Sequence, residues 1–288
     1  MPEFLDEVVL DGLFDTLKLL PFLFLTYLLM EYIEHRTSSK ISGFFRKSGA
    51  LGPLFGGLCG IVPQCGFSAA AANLYTGRVI TLGTMLAVFL STSDEMLPLM
   101  IAEGAPVGKM LLILSYKLLC ALLVGFGADL FLRLTHHKKE EIDIDELCEQ
   151  DNCHCEKGIF RSALHHTLSI SVFIFIVFLA VGSLVFFVGT DTLAGAFGIP
   201  GLSHAAAALL GLVPSCAVSV ALTTFYLKGL IGVGTLLAGL LPNAGVGLLV
   251  LLRFNRRPKE NACIFLTVIV AGILFGLLAD LIRLDTLF

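Results

Sequence analysis

Two stretches decide the fold: "GIVPQCGFSAAAANLYTGRVITLGT" at residues 60–84 and "GLVPSCAVSVALTTFYLKGLIGVGT" at residues 211–235. An offset of 151 residues aligns them without a gap. Leucine matches are expected by chance in an apolar sequence, whereas matches of Pro, Cys, Tyr and Gly-Thr at one constant offset are not. The same offset brings residues 13–24 onto 164–175. The sequence therefore predicts an internal duplication.

The composition indicates an integral membrane protein. Of the 288 residues, 56% are hydrophobic and 15% are charged, against about a quarter charged in soluble domains. The apolar residues do not alternate with polar ones, which argues against the strands of a membrane barrel. Several runs approach the ~20 apolar residues that a spanning helix needs: 10–30, 79–100, 110–132, 168–188, 230–252 and 263–282. Acidic residues precede the first run, so we expect a retained helix there rather than a secretory signal.

The basic residues predict the orientation of the chain. Most of them lie near 36–47, 133–161 and 253–259. By the positive-inside rule these segments are expected in the cytoplasm. We therefore expect a multi-pass protein of a prokaryotic plasma membrane, with both termini outside.

Two interrupted stretches, 49–76 and 201–227, are predicted to be re-entrant hairpins. Each arm holds roughly 13 residues, or about 20 Å of helix, against a hydrocarbon core of ~30 Å. Three crossings and a hairpin in each half would place the second half upside down relative to the first.

The predicted fold class is thus an all-α integral membrane protein with ten hydrophobic segments. Its two inverted-topology repeats are residues 1–133 and 163–288, each with three spanning helices and a re-entrant hairpin. A linker at 134–162 joins them and is expected in the cytoplasm.

The hairpin tips are the first candidate substrate site. Pro63 and Pro214 disrupt a helix locally, and open backbone inside a membrane is tolerated only where it is buried in protein or lines a cavity. The alternative is that small Ser and Cys side chains merely allow tight helix packing. The polar candidates are Gln64, Cys65, Ser68 and Asn73 in the first half, and Ser215, Cys216, Ser219 and Thr224 in the second.

A second polar feature is "FLSTSDEMLP" at residues 89–98, inside a spanning run. Carboxylates there are costly unless they face water or a ligand, so Asp94 and Glu95 are candidate substrate ligands together with Ser91 and Ser93. The equivalent stretch "LLPNAGVG" at 240–247 contributes Asn243. The alternative places both carboxylates at the outer end of the helix.

These residues form a mixed set of metal ligands. Carboxylate and amide oxygens suit hard ions such as Mn²⁺, whereas thiolates suit soft ions and metalloids. Asp94 or Glu95 could also carry a coupling proton. The predicted ligands of the transport site are Cys65, Asp94, Glu95, Cys216 and Asn243.

The linker "THHKKEEIDIDELCEQDNCHCEKG" at 135–158 offers a second candidate metal site. Its potential ligands are Cys148, Cys153, His154 and Cys155, although their spacing does not match a zinc ribbon. A flexible tether with incidental affinity is the alternative. The eight cysteines do not suggest a disulfide framework.

These motifs resemble those of the ten-helix heavy-metal exporters of bacteria and archaea, whose members are labelled arsenic efflux proteins or manganese transporters. They are more distantly similar to organoarsenical permeases. The resemblance covers nearly the whole chain and rests on "GIVPQCGFSAA" (60–70), "LSTSDEMLP" (90–98), "ELCEQDNCHCEKGIF" (146–160), "GLVPSCAVS" (211–219) and "LLPNAG" (240–245). It implies export of a toxic metal or metalloid. The permeases carry more cysteines at the first tip, which favours a divalent cation here.

The sequence thus predicts a secondary transporter, not an enzyme, that exports a heavy-metal ion, Mn²⁺ above all. We expect alternating access around a midplane site and coupling to protons. No nucleotide loop or nucleic-acid signal is present, and no cofactor is required. The expected partners are the ion and the bilayer, and a homo-oligomer is left open. The alternatives are an arsenite or organoarsenical permease that uses Cys65 and Cys216, a membrane thiol oxidoreductase, and a membrane scaffold.

Overall fold

A computed structural model describes residues 51–134 except 63–65 and 94–95, residues 202–284 except 214–215 and 256, and isolated positions within 9–28 and 160–179. No strand occurs among these residues. The first half contains α1 (Gly52–Gly60), α2 (Gly66–Thr76), α3 (Leu82–Ser91), α4 (Met96–Ala102) and α5 (Val107–Leu134). The second half contains α6 (Leu202–Gly211), α7 (Cys216–Leu227), α8 (Val233–Leu240), α9 (Val246–Phe254) and α10 (Pro258–Leu281).

Helix lengths and surfaces identify a membrane protein. Along the described ranges, three spans are long and apolar enough to cross a bilayer: Val107–Leu134, Pro258–Leu281, and Leu82–Ala102, which includes the undescribed residues 94 and 95. Large apolar side chains remain exposed along the first two, for example Phe131 at 67% and Leu281 at 80%. A lipid environment accounts for such exposure, because lipid tails are as apolar as these side chains.

The four arms α1, α2, α6 and α7 are too short to cross a bilayer singly. They contain 9, 11, 10 and 12 residues, or about 14–18 Å of helix at 1.5 Å per residue, against a hydrocarbon core of ~30 Å.

The helices pack in the same way in both halves. In the first half α1 packs on α3 and α3 packs on α5, while in the second half α6 packs on α8 and α8 on α10. Among the contacts that connect the halves, α2 packs on α9, α7 packs on α4, and α10 touches α3 and α5. The helices paired by this pattern are those that the 151-residue offset aligns in the sequence.

A carboxylate near the end of each long helix caps a neighbouring helix. Asp129 of α5 accepts hydrogen bonds from the Gly83 N–H (2.9 Å) and the Thr81 hydroxyl (2.8 Å) at the start of α3. Asp280 of α10 accepts the Gly234 N–H (2.9 Å) at the start of α8. Each carboxylate pairs with the first N–H groups of a helix, which have no partner within that helix and carry its positive dipole end.

Glycine is required where these caps form. A Cβ on Gly83 would lie 2.1 Å from the Gly125 carbonyl oxygen and 2.5 Å from the Asp129 carboxyl carbon. A Cβ on Gly234 would lie 2.3 Å from the Asp280 carboxylate. The Gly-Thr pairs of the repeated stretch are therefore explained by close helix approach.

Gly83→Ala is expected to destabilise the protein, because a methyl group there meets backbone and a capping carboxylate. Overpacking of this kind costs about 1–3 kcal/mol. The matched control is Gly127→Ala in α5, where nothing lies within 4 Å of the added Cβ. Thermal unfolding of the purified protein in detergent should show a lower midpoint for Gly83→Ala only. Equal midpoints for the two variants would contradict the close-approach explanation.

Candidate functional site

Two spanning runs are interrupted at equivalent positions. In the first half α3 ends at Ser91, Thr92 is extended (φ −54°, ψ 130°), and α4 begins at Met96. In the second half α8 ends at Leu240 and α9 begins at Val246. We call these interruptions the first and second breaks. Each leaves terminal carbonyl groups without an intrahelical donor.

The hydroxyl groups at the first break direct their hydrogens to nearby backbone. Ser91 Oγ donates to the Val88 carbonyl at 3.1 Å, Thr92 Oγ1 donates to the same carbonyl at 2.7 Å, and Ser93 Oγ donates to the Ser91 carbonyl at 3.2 Å. All three side chains are buried. Because a hydroxyl oxygen keeps acceptor capacity after it donates, these groups can still serve as oxygen ligands.

Asn243 adds an acceptor at the second break. Its side chain is buried, and within the described part of the chain its Oδ1 atom has no hydrogen-bond partner. An unsatisfied buried amide group costs about 1–3 kcal/mol. Asn243 corresponds to Thr92 at the 151-residue offset, so both breaks present a polar side chain at the same register.

Lys117 connects the two breaks and was missed by the sequence analysis. It lies on α5 with only 1% of its surface exposed. Its ammonium group donates to the Thr92 carbonyl at the first break, and to the Leu240 carbonyl at the second break over 3.1 Å. The signal was present in the sequence, because "LLILSYKLLC" at 111–120 places one cation in a spanning run, and such a residue is by default a functional candidate.

Helix α2, from the first half, reaches the second break. A Cβ on Gly247, in the first turn of α9, would lie 2.7 Å from the Ser68 carbonyl oxygen and 2.8 Å from the Phe89 ring. Ser68 is buried at this contact. The backbone of a predicted site residue therefore lies beside the helix that starts at the second break.

Asn73 is farther along α2 and is fully buried. Neither its Oδ1 nor its Nδ2 atom has a hydrogen-bond partner among the described residues.

In the second half, Ser219 of α7 is buried, and its carbonyl accepts a hydrogen bond from Thr223 Oγ1 at 2.7 Å. Helix α7, which carries Ser219, packs on α4, and this helix contact mirrors that of α2 with α9.

Several predicted ligands lie outside the described residues. For Cys216, which begins α7, the side chain is likewise outside them. The others are Gln64, Cys65, Asp94, Glu95 and Ser215, and in the linker Cys148, Cys153, His154 and Cys155.

Of the described thiols, Cys59 lies nearest to a predicted hairpin tip, four residues before Pro63. Cys59 and Cys263 are exposed and Cys120 is buried on α5. No group of three or more His, Cys, Asp or Glu side chains able to hold a metal occurs within the described ranges. The donors described at the breaks are therefore carbonyl, hydroxyl and amide oxygens.

Charged side chains also connect the two halves away from the breaks. Glu260, at the start of α10, accepts hydrogen bonds from the Tyr75 hydroxyl and from Arg78 Nη1 (3.2 Å). Arg257 lies 3.8 Å from the other oxygen of the same carboxylate. Within the second half, at the other end of α10, His204 Nε2 of α6 is 2.9 Å from Asp280 Oδ2. Neither Arg78 nor His204 carried a specific signal in the sequence, since their partners are distant along the chain.

Comparison with known families agrees with this architecture. No curated protein and no solved structure matches the chain significantly. A family model described as "Putative, 10TM heavy-metal exporter" matches residues 5–199, about two thirds of the chain. The matched region includes the motif at 60–70, the first break and the cysteine-containing stretch at 146–160. The chain therefore belongs to this family of ten-helix heavy-metal exporters.

Proposed function

We propose that this protein exports a divalent metal cation, Mn²⁺ in the first instance, by alternating access around a site between two inverted repeats. Membership of a heavy-metal exporter family supports export. The observation that carries the proposal is the convergence of the two breaks, whose terminal carbonyls Thr92 O and Leu240 O both contact one cationic group inside the membrane. Helix ends of this kind form ion sites at the midplane of secondary transporters.

Inverted topology would explain why the contacts between halves are exchanged. Arm α2 packs on α9, and arm α7 packs on α4, as a two-fold relation between the halves requires. Arms too short to span the bilayer are consistent with re-entrant hairpins that meet halfway across it. In this arrangement the substrate site lies between the repeats, and rocking of one repeat against the other exposes it to each side in turn.

The described donors favour a hard cation. Mn²⁺ prefers carboxylate, carbonyl and water oxygens, whereas arsenicals prefer thiolates. At the breaks the described groups are the Thr92 and Leu240 carbonyls and the Asn243 amide oxygen. Asp94 and Glu95 follow Thr92 closely in the sequence, and we propose them as the charged ligands and as the carriers of a coupling proton. The arsenical alternative relies instead on Cys65 and Cys216.

Substitution at the charged and thiol candidates should distinguish the two substrates. For a hard cation, Asp94→Asn should abolish resistance to Mn²⁺ because it removes an anionic ligand, while Cys65→Ser should have little effect. The measurement is growth and cell metal content in a metal-sensitive strain that expresses each variant at equal levels, challenged with Mn²⁺, Zn²⁺, Co²⁺, arsenite and a methylarsenical.

Glu103→Gln is the matched control, because Glu103 is an exposed carboxylate just after α4. It should behave as the unsubstituted protein. If Cys65→Ser loses arsenite resistance while Asp94→Asn retains normal Mn²⁺ resistance, the arsenical alternative would be supported instead of manganese export. Unchanged export in both variants would show that neither residue belongs to the site.

Asn73→Leu should separate stability from transport. The Asn73 amide is buried and has no hydrogen-bond partner among the described residues, so its removal is expected to stabilise the fold by about 1–3 kcal/mol. If the amide serves the substrate, export should fall even though thermal stability rises. The control is Asn261→Leu, since the Asn261 amide is buried and satisfied by Asn255 at 2.8 and 2.9 Å, so its loss should destabilise. Thermal unfolding and export are measured for both variants. Full export by a stabilised Asn73→Leu protein would show that Asn73 does not belong to the site.

A further inference from the structure

The ammonium group of Lys117 lies at a position where a charge is costly. Helix α5 has 28 residues, and Lys117 follows its first residue by about 15 Å and precedes its last by about 25 Å at 1.5 Å per residue. It is therefore deep within the ~30 Å hydrocarbon core, where ionisable groups are rare and usually mark a functional pathway. Its burial is nearly complete.

Two acceptors of this ammonium among the described residues are helix C-terminal ends. Thr92 caps the end of α3 and Leu240 is the last residue of α8. Each helix C-terminus carries a partial negative charge of about half a unit. Two such ends meeting at one point create a negative potential that suits a cation, and unwound carbonyls of this type coordinate ions in transporters.

The cation is present in only one half. The position equivalent to Lys117 at the 151-residue offset is Val268, which is fully buried and apolar. The α10 side of the arrangement therefore supplies no second ammonium, and a single charge from α5 serves both helix ends. Neutral donors would have satisfied two carbonyls at lower desolvation cost. The positive charge itself thus calls for a role.

We propose that the Thr92 and Leu240 carbonyl oxygens form a cation-binding site, and that Lys117 occupies it as a tethered competitor which the transported cation displaces. This inference rests on the proposed function. A divalent ion and an ammonium group repel each other in a low-dielectric site, so they cannot share the two carbonyls. Lys117 then fills the site whenever the ion leaves, which keeps the helix ends paired during the return step.

The mechanism restricts the substrate class. A cation that displaces the ammonium takes over its favourable interaction with the negative potential of the two helix ends. Arsenous acid is uncharged near neutral pH and gains nothing comparable, so it has no means of displacing Lys117. The inferred substrate is therefore a metal cation, and a neutral metalloid is excluded from this particular pair of carbonyls.

The test measures Mn²⁺ affinity of the purified full-length protein by isothermal titration calorimetry. Lys117→Gln removes the charge but keeps an N–H donor for the carbonyls. If the ammonium fills the site most of the time, its removal should tighten apparent Mn²⁺ binding about tenfold or more. Export by this variant should fall, because nothing refills the site after release. Arsenite titrations should be unaffected.

Lys117→Arg keeps the test decisive if the Gln variant does not fold. The guanidinium stays charged and offers more donors than an ammonium, so it should hold both carbonyls and weaken Mn²⁺ binding about tenfold. The control is Lys109→Gln on the same helix, half-buried and two turns earlier, with unchanged affinity expected.

The outcomes separate the inference from the proposed function. Unchanged or weaker Mn²⁺ binding by a folded Lys117→Gln protein overturns the competitor role, and so does an affinity of Lys117→Arg equal to that of the unsubstituted protein. If the unsubstituted protein binds and exports none of Mn²⁺, Zn²⁺ and Co²⁺, the proposed function itself fails.

Discussion

The structure depends on how a helix that stops inside a membrane finds partners for its last carbonyl groups. The hydrocarbon core holds no water, so an open backbone group at that depth must be buried against protein or line a cavity. At the two breaks the partner is the Lys117 ammonium, which contacts Thr92 and Leu240 together. One side chain thereby fixes two broken helices from different halves of the chain, and the oxygen-rich environment around them follows from the same requirement.

The opposite ends of the same broken helices are satisfied by anions. Asp129 caps the start of α3 and Asp280 caps the start of α8, each through a glycine N–H. The remaining carboxylate oxygen differs between halves, since it accepts from Thr81 in one and contacts His204 in the other. Each broken helix thus lies between an acidic cap at its N-terminus and the shared lysine at its C-terminus, in agreement with the direction of the helix dipole.

The sequence predicted the features that depend on local chemistry. Of the six apolar runs, those at 79–100, 110–132 and 263–282 correspond to the three described spans. Pro63, Pro214 and Pro242 with their polar neighbours indicated where helices are interrupted. Lys117 and the caps Asp129 and Asp280 were accessible in principle, because a lone cation in a spanning run and a pair of aspartates at the repeat offset are both readable from sequence. The packing of α2 on α9 and the pairing of Glu260 with Arg78 were not, since these contacts join residues about 180 positions apart and depend on the assembled fold.

The exchange of arms between halves has a consequence for biosynthesis. Helix α2 is synthesised long before α9, on which it packs, and α4 is likewise synthesised long before its packing partner α7. When the ribosome has finished the amino-terminal half, α2 can pack on α3, but the face of α2 that contacts α9 in the finished fold is still uncovered. Insertion of the first half is therefore provisional, and the mature interior forms only after the carboxyl-terminal half has entered the bilayer. Two such halves made as separate polypeptides would each contain an incomplete core that the other completes.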